Sequence, residues 1–406
     1  MSLLNVNPSD ARATRRLSRH AAFWLQASLV VAFLAGSSAP TPLYCVYQGA
    51  WGFSSITVTI VFGVYAVAVL ASLLVTGSLS DHVGRRPVLL VATVMQVIAM
   101  AMFASAHGLG MLIAARIVQG VSTGAAAAAV GAGMVDLDRA KGTIANAVAP
   151  MTGTATGALV SGLLVQYAPH PTLLVYVLLG AAFVAQAVAL VFMPETVTRR
   201  GGALASLRPR FRLPLQVRQP MLVAVPALIA AWSLAGFYGS LGPVLVRRLV
   251  GSSSLALGGI ALFVLAASGA VTVFVMRART AHSMMTYGAA ALAAGVSLTL
   301  LAMATASAPT FFAGALLAGS GFGASFQAAI RLVMPLAAPD ERAGVLSIIY
   351  VVAYLAMGIP AVFAGLRVVH GGGVMTTARE YGLCVIALAG AALVGAVRRT
   401  RALAVA

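Results

Sequence analysis

Uncharged, apolar stretches of helix length recur along this chain, separated by short breaks that carry Gly, Pro, Ser and nearly all of the charge. A helix needs about 20 mainly apolar residues to cross the hydrocarbon core of a bilayer. On that ruler the pattern predicts twelve crossings. The first six lie at roughly 21–46, 55–79, 88–106, 110–134, 143–167 and 172–193. The second six lie at roughly 221–245, 254–276, 284–305, 309–335, 343–366 and 380–397. A transmembrane barrel would instead alternate apolar and polar positions in segments of about ten residues, so the spans are helical.

Composition turns these helices from core elements into membrane spans. Hydrophobic residues make up 61% of the 406 and charged residues 8%, against about 45–50% and 25% in soluble domains. No soluble surface could be assembled from so little charge. The run from Ala21 to Gln48 is longer than the h-region of a signal peptide and reads as an uncleaved first span. The two cysteines, Cys45 and Cys384, lie in different apolar segments and match no metal spacing.

The net charge of +18 sits in short clusters between spans, not on one soluble face, which excludes nucleic acid as the partner. An even number of crossings puts both termini on one side. With that side cytoplasmic, every Arg and the single Lys falls inside except Arg247, Arg248, Arg367, Arg379 and the intramembrane Arg116. Basic loops stay in the cytoplasm, so the orientation is set. Arg-rich, Ala-rich usage suggests a bacterial inner membrane. The predicted organisation is a tail (1–20), an N-terminal six-helix bundle (21–193), a basic linker (194–220), a C-terminal bundle (221–397) and a short tail (398–406). The linker is a basic segment lying near anionic lipid headgroups.

The halves echo one another. Gly120 and Gly124 in "RIVQGVSTGAAAA" answer Gly319 and Gly323 in "LLAGSGFGASFQA", and "DRAKGTIANA" from Asp138 answers "ERAGVLSIIY" from Glu341. Duplicated halves are the mark of a carrier built from internal repeats.

Chemistry enters at "GSLSDHVGRRP", 77–87, between spans two and three. Gly77, Leu79, Asp81, Gly84, Arg85 and Arg86 match the Gly-x-Leu-x-Asp-x-x-Gly-Arg-Arg loop of the major facilitator superfamily, with His82 in place of the usual Arg or Lys. The chain resembles that superfamily along its whole length. The resemblance implies an all-α membrane fold of twelve helices in two pseudo-symmetric six-helix bundles. It also implies a conformational latch: Gly77 would let span two approach a neighbour. Asp81 would then face the N-terminal end of span eleven near Ala343 and Gly344, where free N–H groups and the helix dipole favour an anion. Arg85 is expected to pair with Asp136 or Asp138 at the end of span four.

Arg116 is the one formally charged side chain inside a span, and an intramembrane charge is a functional hypothesis. With Gln119 and Gly120 it forms "RIVQG", which resembles the Arg-x-x-x-Gly signature of proton-coupled members. A second role is structural. Pro40 and Pro42 in span one withhold the helical donors of the Gly36 and Ser38 carbonyls, and a guanidinium could satisfy both. The two roles are compatible. In span five, Gly153, Gly157 and Gly162 fit the glycine row of the drug/proton antiporter branch, although Ala158 and Ser161 depart from it. Trp24 and Trp51 are expected to mark the two membrane interfaces.

In this superfamily spans 1, 2, 4, 5, 7, 8, 10 and 11 face a central cavity. That makes Tyr65, Thr152, Trp232, Tyr238, Gln327, Tyr350 and Tyr354 the candidate substrate contacts, beside Gln119. No Asp, Glu or His falls in the middle of a span, so the cavity suits neutral or weakly anionic cargo and a proton relay has no carboxylate to use. No cofactor or metal is expected, no Walker loop points to an ATP-binding subunit, and all six histidines lie at or near span ends, so no catalytic pair suggests an enzyme. The expected partners are a small-molecule substrate, the proton and membrane lipid. The expected activity is proton-exchange export by alternating access, with importing symport or uncoupled facilitation as the alternative.

Overall fold

The computed structural model describes residues 16–209, 213–338 and 341–405, with side chains to 398. Arg12 and Arg15 of the N-terminal tail, Arg210 and Arg212 of the linker, and the side chains of the C-terminal tail beyond Arg398 lie outside the described residues. Everything described is helix, turn or coil. Eleven helical runs are long and apolar enough to cross a membrane, and the last, Arg342–Arg398, contains two crossings. It breaks at His370 and Gly371, whose φ/ψ leave the helical region.

Local sequence sets the joints. Ser18 caps α1 (Arg19–Ser38), accepting from the Ala21 N–H at 3.1 Å, and Ala39 carries the chain on into α2 (Pro40–Trp51), which ends at left-handed Gly52. Together these form span one. Span two is α3 (Ser55–Thr76), followed by the one-turn α4 (Ser80–Val83). Next come α5 (Arg85–Ala104), α6 (Leu109–Leu137), α7 (Arg139–Tyr167) and α8 (Pro171–Val191), and the linker holds a further turn, α9 (Ala203–Ser206).

In the second half, α10 (Leu215–Ser240) is span seven and begins earlier than expected. Past Leu241 the chain resumes as α11 (Gly242–Val250), because Pro243 at its first turn suits a fresh start better than a continuation. Then follow α12 (Ala256–Val275), α13 (Ala281–Thr305), α14 (Ala308–Val333), α15 (Arg342–Arg367) and α16 (Gly373–Val405). Span twelve thus starts several residues before Arg379. The acid beside Arg379 is neutralised, because Glu380 holds Arg367 through two bonds of 2.8 and 3.0 Å.

Each half has its own interior. Buried apolar residues from Ala22 to Met193 form one core. Those from Val217 to Ala396 form two adjoining clusters, into which only Met151 and Ala158 of α7 intrude. The halves meet along two seams, α3 against α15 and α7 against α12.

Both seams are tight at one end. On the face away from the arginine-rich loops, a Cβ on Gly162 would lie 3.0 Å from the Gly259 Cα, so only glycine permits that approach. Nearby, Gln166 Oε1 accepts from the Ser254 hydroxyl (3.2 Å) and the Leu255 N–H (2.8 Å), and the Thr41 hydroxyl donates to the Gly239 carbonyl (3.0 Å). Phe62 and Ala66 of α3 close over Met357 and Ala361 of α15. On the basic face, by contrast, a cleft of about 480 Å³ separates α7 from α12 and α14. The conformer is shut on one face and parted on the other.

Candidate functional site

Arg116 stands at the centre of the N-terminal bundle with no exposed surface. It is positioned by α6, whose Gly120 and Gly124 lie so close to α3 that a Cβ on Gly120 would meet the Ala68 Cβ at 2.6 Å. The guanidinium donates to the Ser37 carbonyl at 3.0 Å, to Gln119 Oε1 at 2.7 Å and, through Nε, to the Tyr44 hydroxyl at 3.1 Å. The rings of Tyr65, Tyr44 and Phe103 surround it, with centroids 5.1, 5.6 and 5.8 Å from Cζ.

Gln119 completes the bracket by donating to the Gly36 carbonyl at 2.9 Å. The expected brace on span one therefore takes a different form. The carbonyl freed by Pro40 is met by Gln119, Arg116 takes the neighbouring carbonyl of Ser37, and no bond from either reaches Ser38 among the described residues. The reason is reach: a guanidinium already shared with the Tyr44 hydroxyl and Gln119 cannot also span two carbonyls that lie two residues, about 200°, apart around a helix.

All of these acceptors are neutral. An arginine side chain stays protonated in any protein environment, and a buried charge is costly unless hydrogen-bonded and paired. Here carbonyl, amide and phenol oxygens with three aromatic faces do the work an anion would do elsewhere. No carboxylate joins them among the described residues.

Tyr44 and a second buried set were missed from the sequence. Ser122, one turn on from Gln119, donates to Gln96 Oε1 at 2.7 Å, and Gln96 Nε2 is buried without a partner. Gln96 sits on span three, outside the eight spans searched for cavity residues. Its signal was a lone amide in "VATVMQVIAM".

The candidate substrate contacts divide. Tyr65 is buried against Arg116. Half-buried Trp232 meets Phe326, Tyr354 and Phe322 at centroid distances of 5.2, 5.4 and 5.8 Å, and its Nε1 has no partner. Tyr350 lies beside Tyr354 at 6.3 Å, one turn along α15. These five aromatics, all on α10, α14 and α15, form a belt on the second bundle, and Trp232 and Tyr354 pack against the Phe62–Met357 cluster of the α3–α15 seam. Gln327 is half-buried with no hydrogen bond among the described residues, whereas Thr152 returns its hydroxyl to the Val148 carbonyl of its own helix at 3.1 Å.

Tyr238 does not join the belt. It is 3% exposed and stacks on Phe311 inside the C-terminal bundle. Six residues after Trp232, it points about 120° away around α10. The glycine row of span five also divides. Gly153 and Gly157 seat α7 on Val31 and Ala35 of α1, and Gly162 alone faces the other bundle.

At the basic face, loop 77–87 is an ionic knot. Asp81 and Arg85 form an ion pair within the loop, Arg85 Nε meets Asp136 Oδ2 at 3.2 Å, and Arg85 Nη1 donates to the Ser80 hydroxyl at 2.7 Å. Of the two acids offered to Arg85, Asp136 is the partner. Asp138 instead caps α7, accepting from the Lys141 N–H at 3.0 Å, and that bond holds its carboxyl below the usual range.

A third acid was missed. Glu195, just past span six, accepts the Arg85 and Arg86 N–H groups at 2.8 and 3.1 Å and so caps α5. Gly84 makes room for it. Its φ is +106°, and a Cβ there would strike the Glu195 carboxylate. The signal was "PET" directly after the last apolar residue of the first half.

Linker residues follow Glu195 onto this loop: the Arg200 N–H donates to the His82 carbonyl (2.9 Å) and the Ser78 hydroxyl to the Ser206 carbonyl (3.0 Å). In this conformer a Cβ on Gly77 would meet only the Leu73 carbonyl of its own helix within 4 Å. The close approach expected of Gly77 is absent because the bundles are parted on this face. Trp24 is 58% exposed, whereas Trp51 stacks on Tyr47.

Two bundles that meet tightly at one face and part at the other can pass a solute by tilting alone, with no covalent step. The class is a multi-pass helical secondary carrier and not an enzyme. The chain belongs to the Major Facilitator Superfamily, whose family model matches residues 25–361. Carriers of this family move small-molecule substrates as single chains.

Solved structures share the fold. The nucleoside transporter NupG is similar with a TM-score of 0.71 at 12% identity, over 93% of this chain and all of that one. The human organic anion transporter MFSD10 (TETRAN) is similar with a TM-score of 0.66 at 17% identity, over 93% of this chain and all of that one. No curated protein matches the sequence.

Proposed function

We propose that this carrier exports a small neutral or weakly anionic compound across the inner membrane of a bacterium in exchange for protons. Both termini are then cytoplasmic, and the halves 21–193 and 221–397 rock about a midplane site. One observation carries the choice of cargo. Arg116 is the buried cation nearest the aromatic belt, its own partners are all neutral, and no described carboxylate shares the interior with it. A lipophilic cation would enter a positive field there, whereas an anion or a polar neutral solute would be accepted.

With the basic face cytoplasmic, the conformer is inward-open. The latch belongs to the opposite state: when the cytoplasmic ends close, Asp81 exchanges its local partner Arg85 for the N-terminal end of α15 near Ala343 and Gly344. Exchange with protons rests on the likeness of Arg116, Gln119 and Gly120, and of Gly153, Gly157 and Gly162, to antiporter sequences.

Importing symport or uncoupled facilitation is the second reading. What favours its uncoupled form is the lack of any Asp, Glu or His midway along a span, because proton relays, for symport as for exchange, are usually built from such groups. A compound library presented to everted vesicles with a preset pH gradient separates the two. Export by exchange requires cargo that discharges the gradient in vesicles holding the carrier and not in empty ones. Uptake of cargo with the gradient untouched would overturn proton exchange.

A further inference from the structure

The cleft on the basic face has an unusual wall chemistry. Three arginines from three helices converge on it: Arg139 at the start of α7, Arg277 just past α12 and Arg331 near the end of α14. Above them the lining turns apolar, with Ile144 and Val148 on one side and Phe274 on the other. Arg331 is fixed, its Nη1 donating to the Arg277 carbonyl at 2.9 Å. The Arg277 guanidinium lies 4.3 Å over the Phe274 ring. The Arg139 guanidinium makes no hydrogen bond, and none of the three meets a carboxylate among the described residues.

Three like charges with no described carboxylate bonded to them repel one another, and an external anion would relieve that repulsion. The cleft of about 480 Å³ falls in the ligand-pocket range of about 300–1,000 Å³. Its apolar rim continues outward into the lipid-facing surface, where Ile144 is 39%, Phe274 47% and Val271 62% exposed. A soluble anion has no use for that rim, whereas an acyl chain does.

We infer that this cleft binds a membrane lipid with an anionic phosphate headgroup, the phosphate among the arginines and the chains against Ile144 and Phe274. Its walls come from both bundles, so the site exists only while the seam is parted on this face. Bound lipid therefore favours the conformer described above. The inference is independent of which cargo the carrier moves.

The test titrates the purified full-length chain with phosphatidylglycerol and with phosphatidylcholine, reading occupancy by native mass spectrometry. Phosphatidylglycerol should bind about tenfold tighter, since each cation near a headgroup contributes measurably to attraction. Arg139→Gln with Arg277→Gln should erase that preference, and Ile144→Trp, which fills the cleft and leaves the charges, should weaken both lipids. Arg248→Gln, on the opposite face, should change neither. Equal affinity for the two lipids, or a preference that survives the double substitution, would overturn the site. Displacement of the lipid by millimolar inorganic phosphate would overturn its assignment to lipid in favour of a soluble anion.

The conformational part has its own readout. Thr41→Cys, in a chain whose Cys45 and Cys384 are changed to Ser, reports the closed face. Its thiol labelling should fall about threefold in phosphatidylglycerol vesicles relative to phosphatidylcholine. Unchanged labelling would remove the link between lipid and conformer.

Discussion

The molecule handles charge in two contrasting ways. At the basic face, Arg85 is shared among Asp81, Asp136 and the Ser80 hydroxyl, and its backbone N–H is held by Glu195. At the centre, Arg116 has no acid among the described residues and is held by three neutral oxygens and three rings. Arg85 is itself buried, but its acids reach water, Asp81 being 55% exposed, so an acid that leaves is screened by solvent while the others stay on the arginine. A cation buried among fixed neutral groups cannot trade anything without exposing a bare charge. The first arrangement suits a contact that must break and re-form in each cycle. The second suits a fixture around which other parts move, and the contrast can be broken experimentally.

The largest effect is expected at Arg116. Arg116→Lys keeps the charge but loses the fork joining Ser37, Gln119 and Tyr44. It should cost about 2–4 kcal/mol in stability and cut transport at least tenfold. Thermal melting in detergent and flux in proteoliposomes measure both, and an Arg116→Ala chain with full flux would abolish either role for this residue. Next comes Asp81→Asn. It should lower flux severalfold while leaving membrane insertion and melting temperature close to wild type, since the acid is half-exposed. Wild-type flux would sink the latch.

Glu195→Gln should have a smaller effect, confined to stability. Losing a charged cap on α5 costs about 1 kcal/mol, read as a melting temperature lower by a few degrees. The smallest effect is Asp138→Asn. The Lys141 N–H depresses the Asp138 pKa in the folded chain, so its contribution is complete above the ordinary carboxylate pKa and disappears as pH falls through the depressed value. The wild type should therefore lose slightly more stability than Asp138→Asn on acidification below about pH 4, and parallel melting curves would refute that sign.

How much of this was written in the chain depends on the range of each interaction. The spans were legible because burial in lipid demands one property of about twenty consecutive residues. Most ends fell within a few residues of expectation; the larger shifts include the early start of α10 at Leu215, the break at Leu241–Pro243 and the start of α16 at Gly373, beside the Arg367–Glu380 pair. Arg116 and the loop at 77–87 were legible because charge is so scarce that each acid or arginine draws notice. Tyr44, Gln96 and Glu195 were not, since their importance lies in partners 72, 26 and 110 residues away, and no local pattern encodes those distances. Tyr238 went astray for the complementary reason. Choosing cavity residues by span ignores the azimuth around the helix, which turns Tyr238 about 120° away from Trp232.

The docking of the linker on loop 77–87 limits how the halves can travel. Since Glu195, Arg200 and Ser206 are moored to the first bundle, the slack between halves is only the stretch from Ser206 to the start of α10 at Leu215. Fully drawn out, that leash reaches at most roughly 30 Å. It is long enough for a hinge and too short for one bundle to swing free of its twin.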